Sequence, residues 1–149
     1  MCSSDLACLS RGAAAELFKP GSHGSTFGGN PFACAVALTT LDIIEHDQLL
    51  DNATKVGDAI RAGLTTALAG IKGVVAIRGM GLMLGIELDR PCNELVGRAL
   101  EAGLLINVTA DKIVRLLPPL IMNLDEARQV LDILSALIRD FLSQPAPAH

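Results

Sequence analysis

Residues 74–88 read VVAIRGMGLMLGIEL, and this stretch sets the class of fold for the larger part of the chain. Two apolar runs, residues 74–77 and 82–88, are separated by Arg78-Gly79-Met80-Gly81. Apolar runs of strand length on either side of a glycine-rich turn predict a β-hairpin. On this interpretation Arg78 is a residue of the turn rather than a ligand contact.

Helical periodicity flanks the predicted hairpin on both sides. A helix is predicted over residues 47–68, with an apolar stripe formed by Leu50, Ala53, Val56, Ile60, Leu64 and Ala67. A last helix is predicted over residues 124–142, where Asn123 and Glu126 have the spacing of a capping box. Its stripe consists of Ala127, Val130, Leu131, Leu134, Leu137, Ile138 and Phe141.

Between these helices the pattern predicts a helix over residues 91–102 and two short strands over residues 104–108 and 113–117. From residue 47 onward the order is therefore helix, two strands, helix, two strands, helix. This order is typical of a small α+β domain with a largely antiparallel sheet and helices on one face. We assign residues 47–149 to that domain.

Residues 1–46 do not fit this pattern, and we interpret them as the end of a different, preceding domain. Residues 1–6 are expected to be an unstructured or spurious lead-in, and the tail from residue 144 a frayed end. A short helix is predicted over residues 13–18, and another from Pro31 to about residue 45, capped by Asn30. Because the start of the second helix, FACAVAL, is apolar on nearly every side, we expect it to be buried between layers, with Cys34 as a buried thiol.

Composition narrows the class of function. Half of the 149 residues are hydrophobic, and the net charge of −4 includes no basic stripe, which excludes a disordered chain and argues against nucleic acid as the main partner. No apolar run has the length of a membrane span, and the start does not resemble a secretory signal. The four cysteines form no C-x-x-C pair and have no histidine at metal-ligand spacing, so we expect reduced thiols in the cytoplasm and no metal site.

The first candidate site is the loop HGSTFGGNP, residues 23–31. Gly28 and Gly29 would allow a ligand to approach the backbone, and Ser25 and Thr26 offer hydroxyl groups. The helix start that follows adds N–H groups and a positive dipole end, which together favour an anion such as phosphate. The alternative is a turn that only caps the helix, and the residues by themselves leave both open.

The second candidate is Arg115 in VRLLPPLI, residues 114–121. A guanidinium can bind a carboxylate through two parallel hydrogen bonds, so recognition of an amino acid is the functional interpretation. The alternative is an exposed arginine on the polar face of the sheet. Weaker candidates are His23, which could contact a ligand of the loop, and the pair Asp42 and Glu45, which is interpreted as a charged helix end.

Three segments match one family in sequence order. Residues 23–45 (HGSTFGGNPFACAVALTTLDIIE), residues 76–88 (AIRGMGLMLGIEL) and residues 102–122 (AGLLINVTADKIVRLLPPLIM) resemble the C-terminal part of the class III pyridoxal-phosphate aminotransferases. The resemblance covers nearly the whole chain. It implies an α/β protein of the fold type I of pyridoxal-phosphate enzymes: the end of the large cofactor domain, followed by the small α+β domain.

The resemblance also implies a chemistry and its residues. It is strongest to members that transfer an amino group from N-acetylornithine to 2-oxoglutarate in arginine biosynthesis, as cytoplasmic homodimers. Thr26 would bind the phosphate of pyridoxal 5'-phosphate across the dimer interface, Ser25 would contact the substrate, and Arg115 would bind the substrate α-carboxylate. The cofactor provides the electron sink of such reactions.

One family feature has no counterpart in the chain. The family lysine that forms the Schiff base lies in a glycine-rich K-G segment upstream of ACLSRG, residues 7–12, whereas Lys19, Lys55, Lys72 and Lys112 all follow those residues, so none has that context. We therefore assign no catalytic residue to this chain and expect the isolated chain, as a fragment, to be inactive. Alternatives are an ornithine, succinylornithine or other ω-amino-acid aminotransferase, or a non-catalytic α+β module that binds ligands or partners.

Overall fold

A computed structural model of the chain describes residues 10–22 and 24–145. The chain divides into two compact units, Met1–Asp47 and Gln48–His149, and each is described by itself. The boundary expected from the sequence, between residues 46 and 47, lies one residue earlier. The expected lead-in, residues 1–6, and the end of the expected frayed tail, residues 146–149, lie outside the described residues.

The first unit contains a short 3-10 helix and one α-helix. The 3-10 helix spans Gly12–Glu16, close to the short helix predicted over residues 13–18. Helix α1 spans Pro31–His46 and begins as predicted, with proline at its first position. The Asn30 side chain caps it by accepting a hydrogen bond of 2.9 Å from the backbone N–H of Ala33.

The predicted burial of α1 is wrong. None of its residues is buried, and Cys34 is an exposed free thiol. The rest of the described part of this unit is a 3-10 helix and loops, which offer no apolar layer to cover the helix. Its large apolar side chains are therefore exposed, namely those of Phe32, Val36, Leu38, Leu41 and Ile43.

The second unit is built on a four-stranded antiparallel sheet. Its strands are β1 (Val74–Met80), β2 (Met83–Leu88), β3 (Asn107–Thr109) and β4 (Ile113–Leu116). Their order across the sheet is β1-β2-β4-β3, and all three neighbouring pairs are antiparallel. Two hairpins are thus joined through the central pair of β2 and β4, which confirms the predicted fold class.

Three helices complete this unit: α2 (Leu49–Ala67), α3 (Glu94–Glu101) and α4 (Leu124–Ser143). The predicted capping box of α4 is present. Asn123 Oδ1 accepts a hydrogen bond of 3.0 Å from the N–H of Glu126, and Glu126 Oε2 accepts one of 2.8 Å from the N–H of Asn123.

The core lies between one face of the sheet and the helices. Residues of β2 alternate between the buried Leu84, Ile86 and Leu88 and the more exposed Met83, Gly85 and Glu87, as expected for a strand with one covered face. The buried residues pack in one cluster with side chains of α2, α4 and β4, namely Val56, Ile60, Leu64, Leu134, Ile138, Val114 and Leu116.

One residue of the apolar stripe predicted for α2, Leu50, is exposed rather than buried. Leu50 is 69 % exposed, whereas its neighbour Leu49 is 8 % exposed. The reason is the helical period, because Leu49 lies two turns before the buried Val56 and on the same face, while Leu50 is rotated away from it.

The predicted position of the hairpin turn is also wrong. Met80 pairs with Met83, so the turn is the two-residue loop formed by Gly81 and Leu82, and Arg78 lies inside β1. Gly81 has φ +53°, and positive φ at the first central residue is a property of the favoured two-residue hairpin loops. This turn contacts α2 so closely that a Cβ added at Gly57 would lie 2.0 Å from the carbonyl oxygen of Gly81.

Candidate functional site

The loop before α1 is organised by its own side chains. Ser25 Oγ accepts a hydrogen bond of 3.1 Å from the backbone N–H of Gly28, and Asn30 Nδ2 donates one of 2.6 Å to the carbonyl oxygen of Phe27. A Cβ at Gly28 would lie 3.0 Å from Ser25 Cβ. The absence of a side chain at Gly28 therefore serves the turn around Ser25 and not only the approach of a ligand.

The start of α1 offers fewer free N–H groups than we expected. Pro31 has none, and the N–H groups of Ala33 and Cys34 already donate to the side chain and the carbonyl oxygen of Asn30. Only the N–H of Phe32 remains in the first turn. The interpretation of this loop as an anion site therefore depends on the loop itself rather than on the helix end.

Within the loop, several hydrogen-bond donors remain available. Thr26 is exposed, and among residues 10–22 and 24–145 its hydroxyl makes no hydrogen bond. The backbone N–H groups of Thr26 and Phe27 have no backbone acceptor in the same residues. Ser25 Oγ acts as an acceptor towards Gly28, so its own proton is free to donate. These groups fit the oxygen atoms of a phosphate, which accept hydrogen bonds only.

Arg115 lies in the second unit, on the face of the sheet that the helices do not cover. It is exposed in β4 between the buried Val114 and Leu116, where side chains alternate between the two faces. It pairs with Gly85 of β2 on one side and with Asn107 of β3 on the other. Within the described parts of the chain its guanidinium forms no ion pair, so its five N–H donors are available to an acidic ligand.

Two further polar residues of this face were not found by sequence reasoning. Arg78 pairs with Gly85, and its Nη1 contacts Glu87 Oε2 in an ion pair. The glycine-rich pattern predicted Arg78 to lie in a turn, and no role was predicted for Glu87. The signal that could have found them is the alternation of LMLGIEL, which places Gly85 and Glu87 on the face opposite Leu84 and Ile86.

The other candidates do not form a site. Asp42 and Glu45 are exposed on α1, and His46 Nδ1 lies 2.8 Å from Oδ1 of its neighbour Asp47. His23 lies outside the described residues. In residues 10–22 and 24–145 there is no group of three His, Cys, Asp or Glu side chains that could bind a metal ion.

Ser25 and Thr26 belong to the first unit and Arg115 to the second, so their geometry is described separately for each unit. As far as the described residues show, there are two environments: a loop whose hydroxyl and N–H donors are free, and a sheet face with an unpaired guanidinium. None of the helices in the described part of the chain has the length and hydropathy needed to cross a membrane.

Comparison with known proteins identifies the class of protein to which the chain belongs. The pattern of the family described as "Aminotransferase class-III" matches residues 6–138, so the chain belongs to the class III aminotransferases. Enzymes of this class depend on pyridoxal phosphate. The class and the fold type implied by the motifs of the sequence are thereby confirmed.

The relatives make the similarity more specific. The chain is 57 % identical over 138 residues to acetylornithine aminotransferase 1 of Bordetella bronchiseptica, with 93 % of the chain covered. It is 42 % identical over 134 residues to acetylornithine aminotransferase of Methanothermobacter thermautotrophicus, with 90 % covered. It spans 35 % of the first relative and 34 % of the second, so it corresponds to about a third of their length.

Solved structures agree with the fold. An ornithine aminotransferase from Toxoplasma gondii superposes with a TM-score of 0.79 at 33 % identity, over 88 % of this chain and 32 % of the other. Acetylornithine aminotransferase from Elizabethkingia anophelis superposes with a TM-score of 0.73 at 34 % identity, over 85 % and 34 % of the two chains.

Proposed function

We propose that this chain is the C-terminal part of a pyridoxal-phosphate enzyme that moves an amino group from N-acetylornithine to 2-oxoglutarate in arginine biosynthesis. The observation that carries the proposal is Arg115, whose guanidinium has no ion-pair partner within residues 10–22 and 24–145 and lies on the face of the sheet that the helices do not cover. Both co-substrates carry an α-carboxylate, and a guanidinium binds that group in a bidentate manner. The identity of 57 % to a Bordetella acetylornithine aminotransferase supports this choice of substrate.

The loop supports a role in cofactor binding. When it is bound, pyridoxal phosphate supplies the electron sink of transamination. We assign the phosphate to the hydroxyl group of Thr26 and the neighbouring free N–H groups, and a contact with the substrate to the Ser25 hydroxyl. Since the family resemblance implies that Thr26 reaches a partner's cofactor, the active form is proposed to be a homodimer with shared sites, in the cytoplasm.

The lysines of the chain do not fit the role of a Schiff-base residue. Lys19, Lys55, Lys72 and Lys112 are all exposed. The Schiff-base lysine that the family resemblance implies lies upstream of residues 7–12, and all four lysines of this chain follow those residues. We therefore propose that the chain alone does not catalyse transamination. Turnover of N-acetylornithine by the purified chain with 2-oxoglutarate and pyridoxal phosphate, above a blank without enzyme, would refute this part.

A chimera tests the assigned residues. Residues 10–145 of this chain would replace the matching segment of the Bordetella bronchiseptica acetylornithine aminotransferase 1. We expect Thr26→Val to weaken pyridoxal-phosphate affinity about 10- to 100-fold, because it removes a hydrogen bond to a charged group, while the matched Thr26→Ser retains it. If Thr26→Val and Thr26→Ser had the same affinity for pyridoxal phosphate, the assignment of Thr26 to the phosphate would be rejected.

In the same chimera, Arg115→Ala is expected to raise KM for both N-acetylornithine and 2-oxoglutarate by at least about tenfold, since each loses a charge-assisted pair of hydrogen bonds. Arg115→Lys is the matched control, because it keeps the charge but loses the bidentate geometry, and it should have an intermediate effect. Unchanged KM values in the alanine variant would reject the proposed role of Arg115.

Ornithine is a second candidate substrate, because the Toxoplasma gondii structure that superposes with a TM-score of 0.79 is an ornithine aminotransferase. Ornithine lacks the acetyl group, so the two amines differ in charge at one end. Comparison of kcat/KM for N-acetylornithine, ornithine and succinylornithine in the chimera and in the unaltered Bordetella bronchiseptica enzyme distinguishes them, because any shift of preference towards ornithine comes from the segment of this chain.

A further inference from the structure

The uncovered face of the sheet aligns two arginines in one row. Arg78 of β1 is directly opposite Gly85 of β2, and Gly85 is directly opposite Arg115 of β4. Since directly paired residues point to the same face, the two guanidinium groups extend from that face with only a glycine between their positions. Neighbouring strands lie about 4.8 Å apart, so the two arginine backbones are separated by about 10 Å.

The next row of this face contains the carboxylate of Glu87. Glu87 is two residues after Gly85 on β2 and pairs with Ile113 of β4. It is therefore diagonal to both arginines, and diagonal neighbours on a sheet lie about 7–8 Å apart, within reach of long side chains. Glu87 could pair with either guanidinium, but in the structure it pairs with Arg78.

The neighbours of Arg115 favour the pairing of Glu87 with Arg78. A Cβ at Gly85 would lie 3.3 Å from Cγ2 of Ile113, so the Ile113 side chain leans over the glycine that separates the two arginines. Apolar atoms thus occupy the surface next to Arg115 on the side of Glu87. The Glu87 side chain is 35 % exposed and that of Arg78 54 % exposed, so this ion pair is partly shielded from water.

We infer that Arg78 is a positioning residue that binds Glu87 and thereby keeps the Arg115 guanidinium free for the carboxylate of the substrate. The inference rests on the proposed role of Arg115. Without Arg78, the Glu87 carboxylate loses its cation, and Arg115, which is diagonal to it on the same face, can then pair with it. A Glu87–Arg115 pair would compete with the carboxylate of each substrate.

The pairing itself is tested on the 149-residue chain, by NMR of the arginine Nε–Hε groups. In Arg78→Gln we expect the Arg115 Nε–Hε signal to shift and its exchange with water to slow, because Glu87 now pairs with it. The double variant Arg78→Gln/Glu87→Gln should restore the original signal, and Arg78→Lys should not alter it. An Arg115 signal that is unchanged in Arg78→Gln would overturn the inference.

The consequence for the substrate is tested in the chimera. We expect Arg78→Gln to raise KM for 2-oxoglutarate about threefold at unchanged kcat, as is typical of the loss of one partly exposed charge interaction. Adding Glu87→Gln should return KM to its original value, which a mere disturbance of the sheet would not do. A KM that stays raised in the double variant would contradict the positioning role.

The two proposals fail in different ways. If Arg115→Ala leaves KM unchanged, the proposed function of Arg115 is rejected, whatever the NMR spectra show. If Arg115→Ala raises KM but Arg78→Gln changes neither KM nor the Arg115 signal, only the positioning role of Arg78 is rejected.

Discussion

Gly57→Ala should destabilise the second unit, against the usual trend for such a change. Alanine is favoured over glycine inside a helix by about 1 kcal/mol. At Gly57, however, the new Cβ would lie 2.0 Å from the carbonyl oxygen and 2.4 Å from the carbonyl carbon of Gly81. The atoms in contact belong to the backbone of the hairpin turn, so no rotation of a side chain can relieve the contact.

The magnitude follows from the displacement that is needed. Real Cβ contacts are essentially never shorter than 3.0 Å, so α2 and the turn must separate by about 1 Å. Overpacking of this kind costs about 1–3 kcal/mol, and a contact between two backbone segments belongs at the upper end. After subtraction of the gain in helix propensity, the expected net loss is about 2 kcal/mol, or a decrease in Tm of roughly 8–16 °C for a unit of this size.

The matched control is Gly97→Ala in α3, where a Cβ would meet no atom within 4 Å. This variant should gain about 0.5–1 kcal/mol, because it has the helix propensity without the contact. Chemical denaturation followed by far-UV circular dichroism measures both variants. Fluorescence is unsuitable because the chain contains neither Trp nor Tyr. If Gly57→Ala were as stabilising as Gly97→Ala, the close packing of α2 on the turn would be refuted.

Three further predictions concern a helix cap and the thiols. Asn123→Ala should lower the free energy of unfolding by about 1 kcal/mol in denaturant titrations, because it removes the acceptor of two N–H groups at the start of α4, whereas no loss of stability would contradict the capping role. Burial, with a smaller contribution from Asp111, raises the pKa of the Cys92 thiol to about 11, so peptide mapping after iodoacetamide treatment at pH 8 should find Cys34 modified and Cys92 intact. Since the unfolded thiol ionises at lower pH than the folded one, stability should decline as pH rises from 9 towards 11, and Cys92→Ala should lack this decline.

Local signals predicted the elements that depend on neighbours in the sequence. The Asn30 cap, the capping box at Asn123 and the helical stripe of α4 were all found, because each needs only residues within one or two turns of a helix. The hairpin was found for the same reason. Its turn was displaced because glycines at 79 and 81 both suit a turn, and only the pairing of Met80 with Met83 distinguishes them.

Features that depend on distant residues were missed. The burial of α1 was inferred from its apolar composition, but burial requires a covering layer that composition does not specify. Arg115 could be singled out as a candidate because an arginine within an apolar strand is unusual, and its role stays a prediction. Its neighbours on the sheet face were missed, because Arg78 and Glu87 come beside it only through the pairing of β2 with both β1 and β4.

The arrangement of strands also links assembly to ligand binding. Each outer strand pairs with its hairpin partner across a short loop, and such local pairs form quickly. Arg78 belongs to one hairpin and Arg115 to the other, so the face that we propose to bind a carboxylate exists only after β2 and β4 have joined. By mass action, a carboxylate ligand that binds this face should in turn favour the joined state. Substrate would then stabilise the folded sheet by favouring the pairing of β2 with β4.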